Sequence, residues 1–151
     1  MPVQHFVDAG NRLVITKCSG EVSREEVVTS MEELASRREF RPDFRQLADL
    51  SGVSKLNLGF NDMEAIHRLC DPFSNEGKRA VIAPGHGAIF GLARMYQSLI
   101  DNENFQVFQT IHEAIVWLGL EVATVNVAIR KADFTANHKL PCKRARGASE
   151  K

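Results

Sequence analysis

Three helix-start signals, each set behind a short apolar, β-rich run, restrict this chain more than any other feature. Ser23 with Glu26, Asn61 with Glu64 and Thr110 with Glu113 share one spacing. In it the first side chain accepts from the backbone amide three residues on, and the glutamate reaches back to the first residue's own amide. The runs in front are residues 13–18 (LVITKC), 46–50 (QLADL) and 105–108 (FQVF). A fourth run, residues 79–83 (RAVIA), is closed by Pro84-Gly85 and leads into a helical pattern over residues 88–100. Residues 3–7 form a weaker first strand before the turn Ala9-Gly10-Asn11, expected to pair antiparallel with the second. The order is ββαβαβαβα, which predicts an α/β fold: a mostly parallel sheet of about five strands with helices on both faces.

The expected inward stripes are Val27, Met31 and Leu34 on the first helix, and Met63, Ile66, Leu69 and Cys70 on the second. Leu92, Met95, Tyr96, Leu99 and Ile100 follow on the third, with Ala114, Ile115, Trp117 and Leu118 on the fourth. A loop is expected between Leu50 and Asn61, and Asp71-Pro72 is expected to end the second helix. Val122, Val125 and Ile129 continue a weak helical stripe beyond Gly119.

At 151 residues the chain suits one domain. No apolar run reaches the roughly 18–20 residues that span a membrane, and residues 1–12 do not read as a secretory signal. Cys18, Cys70 and Cys142 are widely spaced and odd in number, which suits a reducing cytoplasm better than a disulfide framework. The formal net charge of zero is uneven: residues 1–129 hold 12 basic and 17 acidic side chains, residues 130–151 hold 7 and 2. The boundaries expected are a domain over residues 1–120 and a basic, partly disordered C-terminal extension over 121–151. Nucleic-acid binding ranks low, because only Lys143, Arg144 and Arg146 cluster and no aromatic is interleaved with them.

Residues 47–66 (LADLSGVSKLNLGFNDMEAI) resemble the switch segment of STAS domains, the anti-sigma-factor antagonists. Further segments in matching order (LVITKCSGEVSREEV, FRPDFRQLADLSGVS, DPFSNEGKRAVIAP, FGLARMYQSL and VFQTIHEAIVWLGL) resemble the SpoIIAA-like family over roughly residues 3–120. The resemblance implies a small cytoplasmic bacterial domain that is non-enzymatic and works through protein contacts. In those domains a loop serine is phosphorylated; here the matching positions read Asn57-Leu58-Gly59-Phe60. Leu58 cannot carry the charge and acceptors that make such a loop a switch, and the role does not pass to Ser51 or Ser54 upstream.

Candidate chemistry is sparse. Gly85-His86-Gly87 precedes a helix start, where backbone amides can hold an anion or nucleotide, but G-x-G-x-x-x-G is not the dinucleotide spacing and a tight turn explains it better. His67 with Cys70 and His138 with Cys142 lack further ligands nearby, so no metal site is assigned. His86 and His112 have no nucleophile in a recognisable setting, so no catalytic residue and no cofactor is assigned. Arg37, Arg38, Arg41 and Arg45 interleave with Glu39 and Asp43 and read as a solvated, salt-bridged surface. Arg94 sits on a largely apolar helix and is expected to meet an acidic group or a pocket.

In open α/β sheets ligands sit beyond the carboxyl ends of the strands. The expected ligand or partner surface is therefore Leu56, Asn57, Leu58, Phe60, Gly85, His86, Gly87, Ile89, Phe90 and Arg94. Its apolar content favours a protein partner or a homodimer contact. A carrier of a small, lipid-like apolar ligand is the alternative, and an anion- or nucleotide-binding module at Gly85 to Gly87 the third reading.

Overall fold

In the computed structural model, which describes residues 2–130, the chain forms one five-stranded sheet in the order β1-β2-β3-β4-β5. The strands are β1 (Val3–Asp8), β2 (Leu13–Ser23), β3 (Arg45–Asn57), β4 (Arg79–Ile82) and β5 (Phe105–Phe108). β1 runs antiparallel to β2 and every other pair is parallel. Parallel neighbours need crossovers, supplied by α1 (Arg24–Ser36), α2 (Phe60–Ala65) and α3 (Ala88–Ile100). From β2 to β5 the strands step in one direction, so right-handed crossovers place these three helices on the same face. α4 (Ile111–Leu118) and α5 (Val122–Arg130) cover the other.

Strand parity divides the core. Leu13, Ile15, Leu47, Ala80 and Ile82 point to one face and bury Ala114, Ile115, Leu118, Val125 and Ala128 of α4 and α5. The alternate residues point to the other: Val14 packs with Leu34 of α1, and Ala48 and Val81 with Ala93 and Ile100 of α3. Val125 and Ala128 of α5, which follow residue 120, thus pack into the same core. The rest of the expected extension, with His138 and Cys142, lies outside the described residues. Among the described residues no single helix is long and apolar enough to cross a membrane.

The capping signals hold at Ser23, where both halves of the box are made, and at Thr110, which accepts from the Glu113 amide at 3.2 Å. They fail at Asn61. α2 starts two residues earlier, on Gly59, whose amide donates to the Asp62 carboxylate at 2.9 Å. The expected loop after Leu50 is strand. β3 continues to Asn57 because β2 also runs on past Gly20, and residues 19–23 pair with 52–57 in parallel. Two register irregularities interrupt this pairing, between Lys17 and Ser19 and between Gly20 and Glu21; Gly20, at φ 68°, supplies the left-handed turn there.

α2 ends in a π-helical turn over Ile66–Cys70. That wider turn rotates the expected stripe, so Ile66 is buried while Leu69 is 77% exposed. Met95 also lies further out than its spacing suggests, at 36%. The arginine-rich connection is more structural than a solvated surface. Arg37 donates to the His5 carbonyl at 3.0 Å, Arg41 to the Arg38 and Phe40 carbonyls, and Arg45 to those of Leu118 and Asn11.

Gly77 lies where two segments touch. A Cβ there would sit 2.5 Å from the Asp43 carbonyl oxygen and 2.6 Å from that of Phe44. Gly77→Ala is expected to cost about 1–3 kcal/mol, the range for overpacking against atoms that cannot yield. Urea denaturation checks it as a lowered midpoint with unchanged slope.

Candidate functional site: an apolar cavity with a polar floor

A cavity of about 150 Å³ lies between the sheet and α1, α2 and α3. Its walls are mostly aliphatic: Val22, Ala48, Leu50 and Val81 from the sheet, Leu56 and Leu58 from the end of β3 and the turn after it, and Val27, Met31, Met63, Ile66, Leu92 and Ala93 from the helices. Its polar lining is His5, Thr16, Ser30, Gln46, Arg79 and Tyr96, with the Cys18 thiol.

The polar side chains form one chain of hydrogen bonds, and strand register creates it. His5 faces Thr16 across β1 and β2, and Gln46 faces Arg79 across β3 and β4. Their parity points them to the helix-covered cavity face in strands that otherwise carry apolar residues there. Arg79 Nε donates to Gln46 Oε1 at 3.0 Å, and Gln46 Nε2 donates to Thr16 Oγ1 at 2.8 Å. Thr16 Oγ1 and His5 Nδ1 are 2.8 Å apart, His5 Nε2 and Ser30 Oγ 3.3 Å, and Ser30 Oγ donates to the Val27 carbonyl at 2.9 Å. At the other end Arg79 Nη1 donates to Asp71 Oδ2 at 2.9 Å, and the Tyr96 hydroxyl to the same oxygen at 2.6 Å. The guanidinium lies over the rings of Phe73 and Phe105, at 4.5 and 5.1 Å.

Burial sets the protonation states. His5 is held down at about 4, by desolvation first and then by Arg37, so it is neutral at pH 7. The Tyr96 hydroxyl is pushed far up by burial and by the Asp71 carboxylate, and stays protonated. Burial, then Asp49, raises Cys18 to about 12, so it is a thiol and a poor nucleophile. His67, on the π-helical turn, stands edge-on to Tyr96 with ring centroids 6.0 Å apart, and its buried Nδ1 has no partner. Among the described residues no group of three or more His, Cys, Asp and Glu side chains is arranged to hold a metal ion.

The expected surface is split by the structure. Leu56 and Leu58 turn inward to the cavity, while Asn57 and Phe60 are exposed, Phe60 by 51%. Ile89 and Phe90 are half-buried against the core. Gly85, His86 and Gly87 are exposed, and His86 meets the Gln109 amide at 3.0 Å and the Phe90 ring. Arg94 is exposed over the Phe90 ring at 5.8 Å, away from the cavity. His5, Thr16, Gln46, Asp71, Arg79 and Tyr96 are not among the expected site residues. Their available signal is a polar residue at an inward position of an apolar strand, as with Thr16 between Val14 and Cys18.

No protein-family model and no curated protein matches this sequence. Solved structures match its fold. An anti-sigma factor antagonist from Mycobacterium paratuberculosis aligns over 77% of this chain and 93% of its own, with a TM-score of 0.51 and 17% identity. An uncharacterized protein from Shewanella loihica with a SpoIIAA-like fold covers 77% of this chain and 91% of its own, at 0.49 and 21%. SpoIIAA, an anti-sigma factor antagonist in its unphosphorylated form, covers 76% of this chain and 94% of its own, at 0.47 and 10%.

Removing one partner from the buried ion pair leaves the other charge uncompensated. Asp71→Ala is expected to cost about 3–5 kcal/mol and Tyr96→Phe about 1 kcal/mol, read from denaturant midpoints. The neutral, buried His5 binds fewer protons folded than unfolded between pH 6.5 and about 4. Its contribution to stability is therefore complete above pH 6.5 and is lost as pH falls through that window, by roughly 3 kcal/mol at most. Stability measured against pH in wild type and His5→Gln checks this: the variant should have a shallower slope there. The chain has the fold of the anti-sigma factor antagonists, the STAS or SpoIIAA-like fold.

Proposed function

We propose that this chain is a non-catalytic binding domain that takes a small apolar ligand into the cavity between its sheet and α1, α2 and α3. One observation carries the reading: a cavity of about 150 Å³ with aliphatic walls. A close-packed interior tolerates few voids above the size of a water molecule, and an apolar cavity of this volume holds a molecule of about the size of benzene. Of the readings open to the sequence, this is the small-ligand alternative, with Leu56 and Leu58 as wall residues instead of a docking patch.

The test is titration of the full chain with benzene, followed by amide NMR shifts and thermal unfolding. Benzene is expected to shift resonances around the cavity and raise Tm, by linkage to the folded state. Ala48→Leu, which fills the space from β3, is expected to remove both responses while keeping the fold. A wild type indifferent to benzene would sink the reading.

A second reading, regulation through protein contact, is supported by the exposed apolar side chains of Phe60, at 51%, and Leu69, at 77%, at the two ends of the segment formed by α2 and its π-helical turn. The antagonist fold belongs to proteins named for their action on another protein. If this surface joins two copies, Phe60→Asp with Leu69→Asp lowers the mass measured by light scattering. An identical mass in wild type and variant removes self-association.

A further inference from the structure

We propose that the cavity's ligand is an uncharged apolar molecule of about six to eight heavy atoms carrying one carbonyl-type acceptor, which Gln46 and Arg79 receive. This rests on the small-ligand reading above and adds the ligand's chemical class.

At each end of this chain of hydrogen bonds stands a group whose role cannot invert. A guanidinium only donates, so Gln46 must turn its carbonyl to Arg79 and its NH₂ to Thr16. At the far end the Val27 carbonyl only accepts, so it takes the Ser30 hydroxyl hydrogen. Ser30 then accepts from His5 Nε2–H, the neutral ring presents Nδ1 as an acceptor, and Thr16 donates to it. Every hydroxyl hydrogen in the chain is used, and so are both nitrogens of His5.

What remains unmade is hydrogen. Gln46 Nε2 has a second N–H, Arg79 Nη1 has one more and Nη2 has two, with no hydrogen bond to a described residue. Both side chains line the cavity, and both residues are at least 94% buried. A carbonyl oxygen with one free lone pair is common inside proteins, whereas a buried N–H without an acceptor is rare. The floor therefore asks its ligand for an acceptor.

Charge decides which acceptor. Arg79 is already paired with Asp71 at 2.9 Å, and these side chains are only 8% and 3% exposed. His5 is neutral in the bonding pattern just described. A carboxylate entering this floor would be a buried charge with no uncompensated cation to meet, and losing its hydration is expensive. A ketone, ester or amide oxygen meets the same N–H groups without that cost. The aliphatic walls and the volume, enough for one ring, set the size of the rest.

The test compares three ligands of seven or eight heavy atoms by ¹H–¹⁵N NMR titration of the full chain: cyclohexanone, methylenecyclohexane and cyclopentanecarboxylate. Cyclohexanone is expected to bind about tenfold tighter than methylenecyclohexane, the worth of a hydrogen bond to a charged or buried donor. The carboxylate is expected to bind weakest. Equal affinity for ketone and alkene overturns this inference and leaves the cavity reading standing; so does a carboxylate that binds tightest. Binding by none of the three overturns the cavity reading and this one with it. Gln46→Met is expected to reduce the ketone preference to below about threefold while still binding the alkene, which also reports that the variant is folded. Independently of any variant, the carbonyl stretch of ¹³C-labelled cyclohexanone is expected to stay at or below its position in water on binding, and a band raised to the position it has in an alkane overturns the inference.

Discussion

The buried pair of Arg79 and Asp71 governs the cavity face of this molecule. A guanidinium in an apolar strand end is costly unless its charge is compensated and its N–H groups are engaged. Asp71 supplies the charge, Gln46 takes Nε, and the guanidinium lies over the rings of Phe73 and Phe105. This arrangement also fixes the surrounding structure. Asp71 follows the π-helical turn that ends the α2 segment, and its second oxygen accepts from the Phe73 amide at 3.1 Å, so the same carboxylate shapes the connection into β4. Through Tyr96 it reaches α3, and through Gln46, Thr16, His5 and Ser30 it reaches α1. One charge neutralisation thus sets how three helices sit on one sheet face.

Local signals made much of the fold legible. Residues 105–108 became β5, residues 88–100 became α3, and Ser23 and Thr110 cap as their spacing predicts, because these elements are settled by chain-neighbour chemistry. The errors lie where tertiary pairing overrides the local pattern. Ser51 to Lys55 reads as loop from composition, yet it is strand because the second half of β2 offers a partner with matching register. Asn61 reads as a cap, yet Asp62 pulls the helix start back to Gly59. Leu69 fits a 3.6-residue stripe, yet one wider turn sends it to the surface.

The candidate site was less legible than the fold for a related reason. No motif marks the site, which is built from residues that are ordinary alone: a threonine, a glutamine and an arginine on separate strands, separated by about 30 positions in sequence. Only register brings them side by side. Leu56 and Leu58 stand out in the sequence as apolar residues where β3 ends, but composition does not say whether a leucine there faces solvent or an internal space.

α5 carries a consequence for the order of events in folding. Among the described residues, the helical layer over Leu13, Ile15, Leu47 and Ile82 comes from α4 and α5, down to Ala128. The three crossover helices complete their own side with segments nearer in sequence, as where Leu34 packs on Val14 and Ala93 on Val81. Its counterpart depends on contacts between the first third of the chain and the last described turn, separations of more than 100 positions between Leu13 and Val125. During synthesis this face of the earlier strands therefore lacks part of its cover until residue 128 has left the ribosome. A chain stopped at residue 120 would keep α4 and lose α5, leaving uncovered the part of that face under Val125 and Ala128, with the aggregation hazard of exposed apolar surface.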